Sequence, residues 1–189
     1  NIPVFNVANY GTQSVAQHTL MLILALAARL PLYQRDIAKG AWNLSKNFCL
    51  MTHATSELFG KKLVIVGQGT LGKAVAKLAE AFGVSVVFTA RPGTAESRRP
   101  SFNEAIKTAD IISFHCPLTD DTHHLLNKEN IHLLKRDCLV VNCSRGGVID
   151  EIIVLNALVQ KNIAGLAVDV LPVEPPSNGH PLLDALDVS

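Results

Sequence analysis

The stretch Lys62-Leu-Val-Ile-Val-Gly67-Gln-Gly69-Thr-Leu-Gly72 constrains the fold more than any other. An apolar run from Leu63 to Val66 passes straight into Gly-x-Gly-x-x-Gly. Apolar residues at Ala74, Val75, Leu78, Ala79 and Phe82 then recur at helical spacing. Strand, glycine turn and helix in that order open a dinucleotide-binding βαβ unit. Gly67 permits the tight turn out of the strand. Gly69, without a Cβ, lets a pyrophosphate approach the backbone, and Gly72 lets the helix lie close to the sheet. The helix, opened by Thr70 and Leu71, presents free N–H groups and a partial positive charge to the phosphates. The plain alternative is a structural glycine turn with no ligand.

Further strand–helix units follow. Apolar runs are read as strands over Val84–Thr89, Asp110–His115, Cys138–Cys143 and Ala164–Val170. Helices are expected over Phe102–Thr108, Asn127–Leu134 and Asp150–Val159. Alternation of this kind predicts an α/β domain with a doubly wound parallel sheet of the Rossmann type. Upstream, a short strand is expected over residues 1–7, then a long helix from Gly11, capped by Thr12 or Ser14. Its apolar residues cover nearly all faces from Val15 to Leu30, which predicts burial on several sides, in a core or at a subunit contact. Pro31 should kink or restart it.

The bulk composition narrows the partners. The 189 residues suit one domain, a formal charge of +1 offers no basic field for nucleic acid, and no apolar run is long enough to span a bilayer. Cys49, Cys116, Cys138 and Cys143 have no C-x-x-C spacing, and no histidine spacing suggests a metal. Reduced thiols in a cytoplasmic protein are expected. The chain starts at Asn1 and stops at Val188-Ser189 as a strand pattern opens, so it reads as an internal segment of a longer protein.

In doubly wound sheets ligands sit beyond the carboxyl ends of the strands. At the second strand end an NAD site would carry Asp or Glu, about 20 residues past the glycines. No acid occurs between Ala81 and Gly93, but Arg91 does. An arginine there can pair with a 2′-phosphate, so the coenzyme is NAD or NADP with the balance toward NADP. A solvated loop arginine is the alternative. Arg145, after the fourth strand and before Gly146-Gly147, can grip a carboxylate bidentately and polarise a carbonyl. Asp169 ends a very apolar strand and needs a partner, which a cofactor amide could be. Glu174, between prolines, could raise the pKa of an imidazole and orient it as an acid.

Together these residues resemble the D-isomer-specific 2-hydroxyacid dehydrogenases over essentially the whole chain. The resemblance rests on Val15-Ala16-Gln17, the Gly67–Gly72 loop, Cys116-Pro117-Leu118-Thr119 with Thr122, Asn142–Glu151, Asp169-Val170 and Glu174-Pro175. Within the family, Tyr10–Thr19 and Val173–Pro176 look most like glycerate dehydrogenases, also called hydroxypyruvate reductases. The resemblance implies reduction of a 2-oxo acid, hydroxypyruvate or glyoxylate, to the D-2-hydroxy acid, D-glycerate or glycolate, by a nicotinamide hydride. It makes residues 1–189 the dinucleotide-binding domain of a homodimeric enzyme whose substrate domain lies outside the chain. It gives Arg145 the substrate and Glu174 a catalytic histidine that falls beyond Ser189. It places Asp169 at the nicotinamide carboxamide, and Thr12, Cys116, Pro117, Thr122, Cys143 and Ser144 along the cofactor. The rival from another class is a non-catalytic, dinucleotide-sensing corepressor, which the same glycine loop would serve.

Overall fold

The computed structural model describes residues 10–94 and 98–185, with Pro3, Phe5 and Val7, so the strand expected over 1–7 falls largely outside the described residues. The elements are α1 (Thr12–Ala27), α2 (Leu30–Ala38), β1 (Lys62–Val66), α3 (Thr70–Glu80), β2 (Ser85–Phe88) and α4 (Phe102–Ile106). They continue as β3 (Ile111–Phe114), a 3-10 turn (Ile131–Leu133), β4 (Leu139–Asn142), α5 (Glu151–Val159), β5 (Gly165–Val168) and α6 (Pro181–Asp184).

The five strands lie in the order β2-β1-β3-β4-β5, every neighbouring pair parallel. Side chains alternate across the sheet. Val64, Val66, Ile112, Phe114 and Val140 meet α4 and α5 on one face. Leu63, Ile65, Ile111 and Val141 meet α1 and α3 on the other. Helices on both faces bury β3 and β4 from end to end, which is why those strands read as unbroken apolar runs rather than alternating ones. This is the Rossmann-type doubly wound sheet expected from the alternation. After β1 the chain builds β2 on one side and then crosses to β3 on the other. A crevice therefore opens above the β1 and β3 carboxyl ends.

Three local expectations change. First, α1 is capped by Gly11 with no side-chain bond, and the Ser14 hydroxyl instead donates back to the Gly11 carbonyl at 3.1 Å. Second, packing within the chain buries one face of α1, through Ala16, Thr19, Leu20, Ile23, Leu26 and Ala27, and leaves Met21 exposed, so burial on its other sides would need the subunit contact. Third, Asn127–Leu134 is no α-helix. The Asn130 side chain accepts from the Asn127 N–H at 2.9 Å and Asn127 from the Glu129 N–H at 2.8 Å. These bonds, with the Asn130 and Ile131 N–H groups returned to the Asn127 carbonyl, close a single local turn that leads only into the 3-10 turn. The break expected near Pro31 does occur. Arg29 takes a left-handed φ of 53°, and α2 leaves α1 at 60°. No single helix among the described residues is long and apolar enough to cross a membrane.

Candidate functional site

The glycine loop is set by close packing on one side and open space on the other. Gly67 has φ +109°, and a Cβ there would stand 2.4 Å from the His115 carbonyl oxygen. A Cβ on Gly72 would stand 2.0 Å from the Gly67 carbonyl. Around Gly69 nothing comes within 4 Å, so the loop is bare where a pyrophosphate would approach. Gly69 is the N-cap of α3 and supplies no side-chain bond, and the first turn holds no acid. The free N–H groups beside exposed Thr70 are therefore left to an anion. A cradle cleared of Cβ atoms over an uncapped helix start fits a dinucleotide pyrophosphate.

Two cavities flank this cradle. One, of about 550 Å³, lies between Gly67–Gly69, Thr89–Pro92, Arg99 and the His115–Pro117 strand end. The other, of about 420 Å³, is lined by Val15, Leu71, Cys116–Leu118 and Cys143–Arg145. His115, Cys116 and Pro117 form the wall common to both. One cavity thus lies on each side of the glycine loop.

The common wall is uncharged. Burial pushes the Cys116 thiol up to about 11 and raises Cys143, which a Thr19 hydroxyl opposes. Both cysteines therefore act as apolar lining. His115 is bonded to the Ser113 hydroxyl at 2.8 Å, and burial lowers its pKa to about 4, so the ring is neutral near pH 7. Its Nδ1 is buried without a partner among the described residues. Thr122, expected along the cofactor, uses its hydroxyl within the protein. It donates to the Pro117 carbonyl at 2.7 Å and accepts from the Thr119 N–H at 2.7 Å. That closes the 117–122 loop beneath the first cavity, so Thr122 shapes the wall.

Arg145 stands on a braced turn. Fully buried Asn142 donates from Nδ2 to the Arg145 carbonyl at 2.9 Å and accepts from the Ser144 N–H and hydroxyl at 3.1 and 2.9 Å. The Arg145 guanidinium reaches back to the Ser144 carbonyl at 2.7 Å and is otherwise exposed beside the second cavity. Gly146 packs so tightly that a Cβ would fall 2.1 Å from the Leu171 carbonyl carbon. The Arg145 turn thus abuts the segment that carries Glu174. Asn142 and Gly146 lie within the Asn142–Glu151 stretch, whose sequence alone does not reveal this work. The polar residue ending an apolar strand was the available signal.

The two acids lie where expected but differ in setting. Asp169 follows β5 and is exposed. Its partner is His18 of α1, at 3.2 Å. Thr12 starts that helix and is half-buried. Glu174 is exposed and accepts from the Leu171 N–H at 2.7 Å; among the described residues no histidine pairs with it. His180 lies instead against α5, its Nε2 2.9 Å from Glu151 Oε2, with Nδ1 accepting from the Leu182 N–H. Burial pushes the Glu151 carboxyl up, against the pull of that imidazole.

At the second strand end Arg91 is exposed and faces the first cavity. Sequence reasoning missed two neighbours. Arg99 lines the same cavity and donates from Nη1 to Gln68 Oε1 at 2.9 Å. Asp121 also lines it, its carboxylate lying against the Gly93 turn. No short-range pattern connects these three residues. Among the described residues no cluster of three or more His, Cys, Asp or Glu side chains is placed to hold a metal ion.

The comparisons agree with this geometry. Residues 20–189 match the family model of the D-isomer specific 2-hydroxyacid dehydrogenase, NAD binding domain. The chain is 36% identical over 185 residues to a glycerate dehydrogenase of Methylorubrum extorquens, covering 97% of this chain and 58% of that one. It is 40% identical over 194 residues to a D-3-phosphoglycerate dehydrogenase of Bacillus subtilis, covering 96% and 35%. The crystal structure of the TT0316 protein from Thermus thermophilus superposes with a TM-score of 0.81 at 36% identity, over 94% of this chain and 56% of that one. The chain therefore spans little more than half of even the better-covered of these relatives. A nucleotide cradle between two cavities, an arginine braced at the fourth strand end and a family match over most of the chain lead to one conclusion: the chain belongs to the D-isomer specific 2-hydroxyacid dehydrogenases, as their NAD-binding domain.

Proposed function

We propose that the protein reduces a small 2-oxo acid, hydroxypyruvate or glyoxylate, to D-glycerate or glycolate with a nicotinamide coenzyme. The observation that carries this is the Arg145 turn. It is braced by Asn142, lies beside the cavity on the α1 side of the glycine loop, and packs through Gly146 on the Glu174 segment. Bound there, the coenzyme supplies a hydride. Arg145 holds the substrate carboxylate in a two-pronged bond and draws charge from the carbonyl oxygen. Glu174 raises the pKa of an imidazole and orients it to deliver a proton to the new alkoxide. Asp169 receives the carboxamide N–H groups, and the neutral Cys116 and Cys143 walls exclude water. The named activity of the Methylorubrum relative supports the substrate; the Bacillus relative's name marks the neighbouring substrate to test beside it.

Arg91, standing where an acid would select NAD, supports use of NADPH. Exposed Trp42, Leu44, Phe48 and Met51, in the segment that follows α2, fit the face of a homodimer. Four free cysteines fit a cytoplasmic enzyme.

The test is Arg145→Lys in the full-length protein. Lysine keeps the charge and loses the planar fork. The KM for hydroxypyruvate should rise at least about tenfold, with coenzyme KM within about twofold of wild type. An unchanged substrate KM would remove Arg145 from the site.

A further inference from the structure

The coenzyme cavity carries a second guanidinium. After β2 the Ala90 N–H donates to the Pro100 carbonyl at 2.7 Å. Arg91 and Arg99 adjoin that bond, and both line the same cavity. Each precedes a proline, Pro92 and Pro100, which holds its backbone in the extended region and limits where its side chain can swing. Arg99 is oriented further by its 2.9 Å bond to Gln68, the residue between the first two glycines of the cradle. One arginine thus stands at the β2 end and the other is bonded to the glycine loop, both on the cavity between them.

We propose that Arg99 is the second half of a two-arginine clamp on the 2′-phosphate of NADPH, with Gln68 as the positioning residue that aims it. The assignment rests on the coenzyme reading made from Arg91 and names the residue that would complete it. A phosphate monoester offers several acceptor oxygens, so two guanidinium groups can bind it at once by charge-assisted hydrogen bonds. The counter-group is Asp121, whose carboxylate lines the same cavity. It repels a phosphate and would accept from a ribose hydroxyl.

The test is fluorescence titration of the full-length protein with NADPH and with NADH, on wild type and on Arg91→Met, Arg99→Met and Arg99→Lys. Wild type is expected to bind NADPH more tightly. Arg99→Met should lose about tenfold to a hundredfold in NADPH affinity relative to NADH, with Arg99→Lys between the two. If wild type prefers NADPH, Arg91→Met lowers that preference and Arg99→Met does not, the coenzyme reading stands and the Arg99 assignment falls. Equal loss for both coenzymes in Arg99→Met would also overturn it, since that marks a pyrophosphate or structural role. If wild type prefers NADH, the coenzyme reading fails and the clamp fails with it.

Discussion

At the scale of single residues, His115 couples the site to the stability of the domain. Its ring is buried, bonded to Ser113 and held neutral, with a pKa near 4 against an ordinary 6.5. Between those values the unfolded chain binds a proton that the folded one refuses. Stability therefore rises with pH across this window: the contribution is fully present above pH 6.5 and lost as pH falls toward 4. The size is up to about 3 kcal/mol at the acid end. Urea midpoints of wild type and His115→Gln, followed from pH 7.5 down to about 4, should show a shallower acid slope for the variant. Parallel slopes would contradict the account. The same residue shows the limit of sequence reading. His115 is legible as a strand-end histidine, but its Ser113 partner and its place between two cavities come from the packing of β3 under the glycine loop.

At the scale of elements, the parts best read from the chain were those whose physics is local. Fully covered parallel strands are unbroken apolar runs, and the Gly67–Gly72 turn needs glycine for reasons visible in three residues. What failed was local competition and what was missed was tertiary. The Asn127 and Asn130 side chains bond the backbone of a local turn, and the helical pattern there yields only a 3-10 turn. Arg99 lines the cavity beside the bond from Ala90 to Pro100, a contact that no local sequence pattern marks. Arg29 is of the same kind. It holds the α1–α2 bend by donating to the Ala164 carbonyl at 2.6 Å and to Ala54 at 3.4 Å, in a left-handed conformation. Arg29→Ala should cost about 2 kcal/mol, the scale of losing a charged hydrogen bond at a partly buried carbonyl. A lower urea midpoint at constant slope would show it, and an unchanged midpoint would assign the bend to Pro31 alone.

At the scale of the whole molecule, strand order does the functional work. Building β2 on one side of β1 and β3 on the other leaves a crevice over the glycine loop, and parallel strands turn every carboxyl end toward it. Arg91, His115, Arg145 and Asp169 are far apart in the chain yet all follow strands, so one topology gathers them at one edge. The fold was therefore readable in the chain, and with it the edge at which these strand-end residues gather. The partners that brace the site, Asn142 under Arg145 and His18 beside Asp169, required the folded chain.

The central claim is that this edge serves hydride transfer to a 2-oxo acid. The most direct test incubates the full-length protein with hydroxypyruvate and either NADPH or NADH, following coenzyme oxidation and the configuration of the product. The account predicts one D-glycerate for each coenzyme oxidised. No coenzyme oxidation with either hydroxypyruvate or glyoxylate, or an L-configured product, would contradict it.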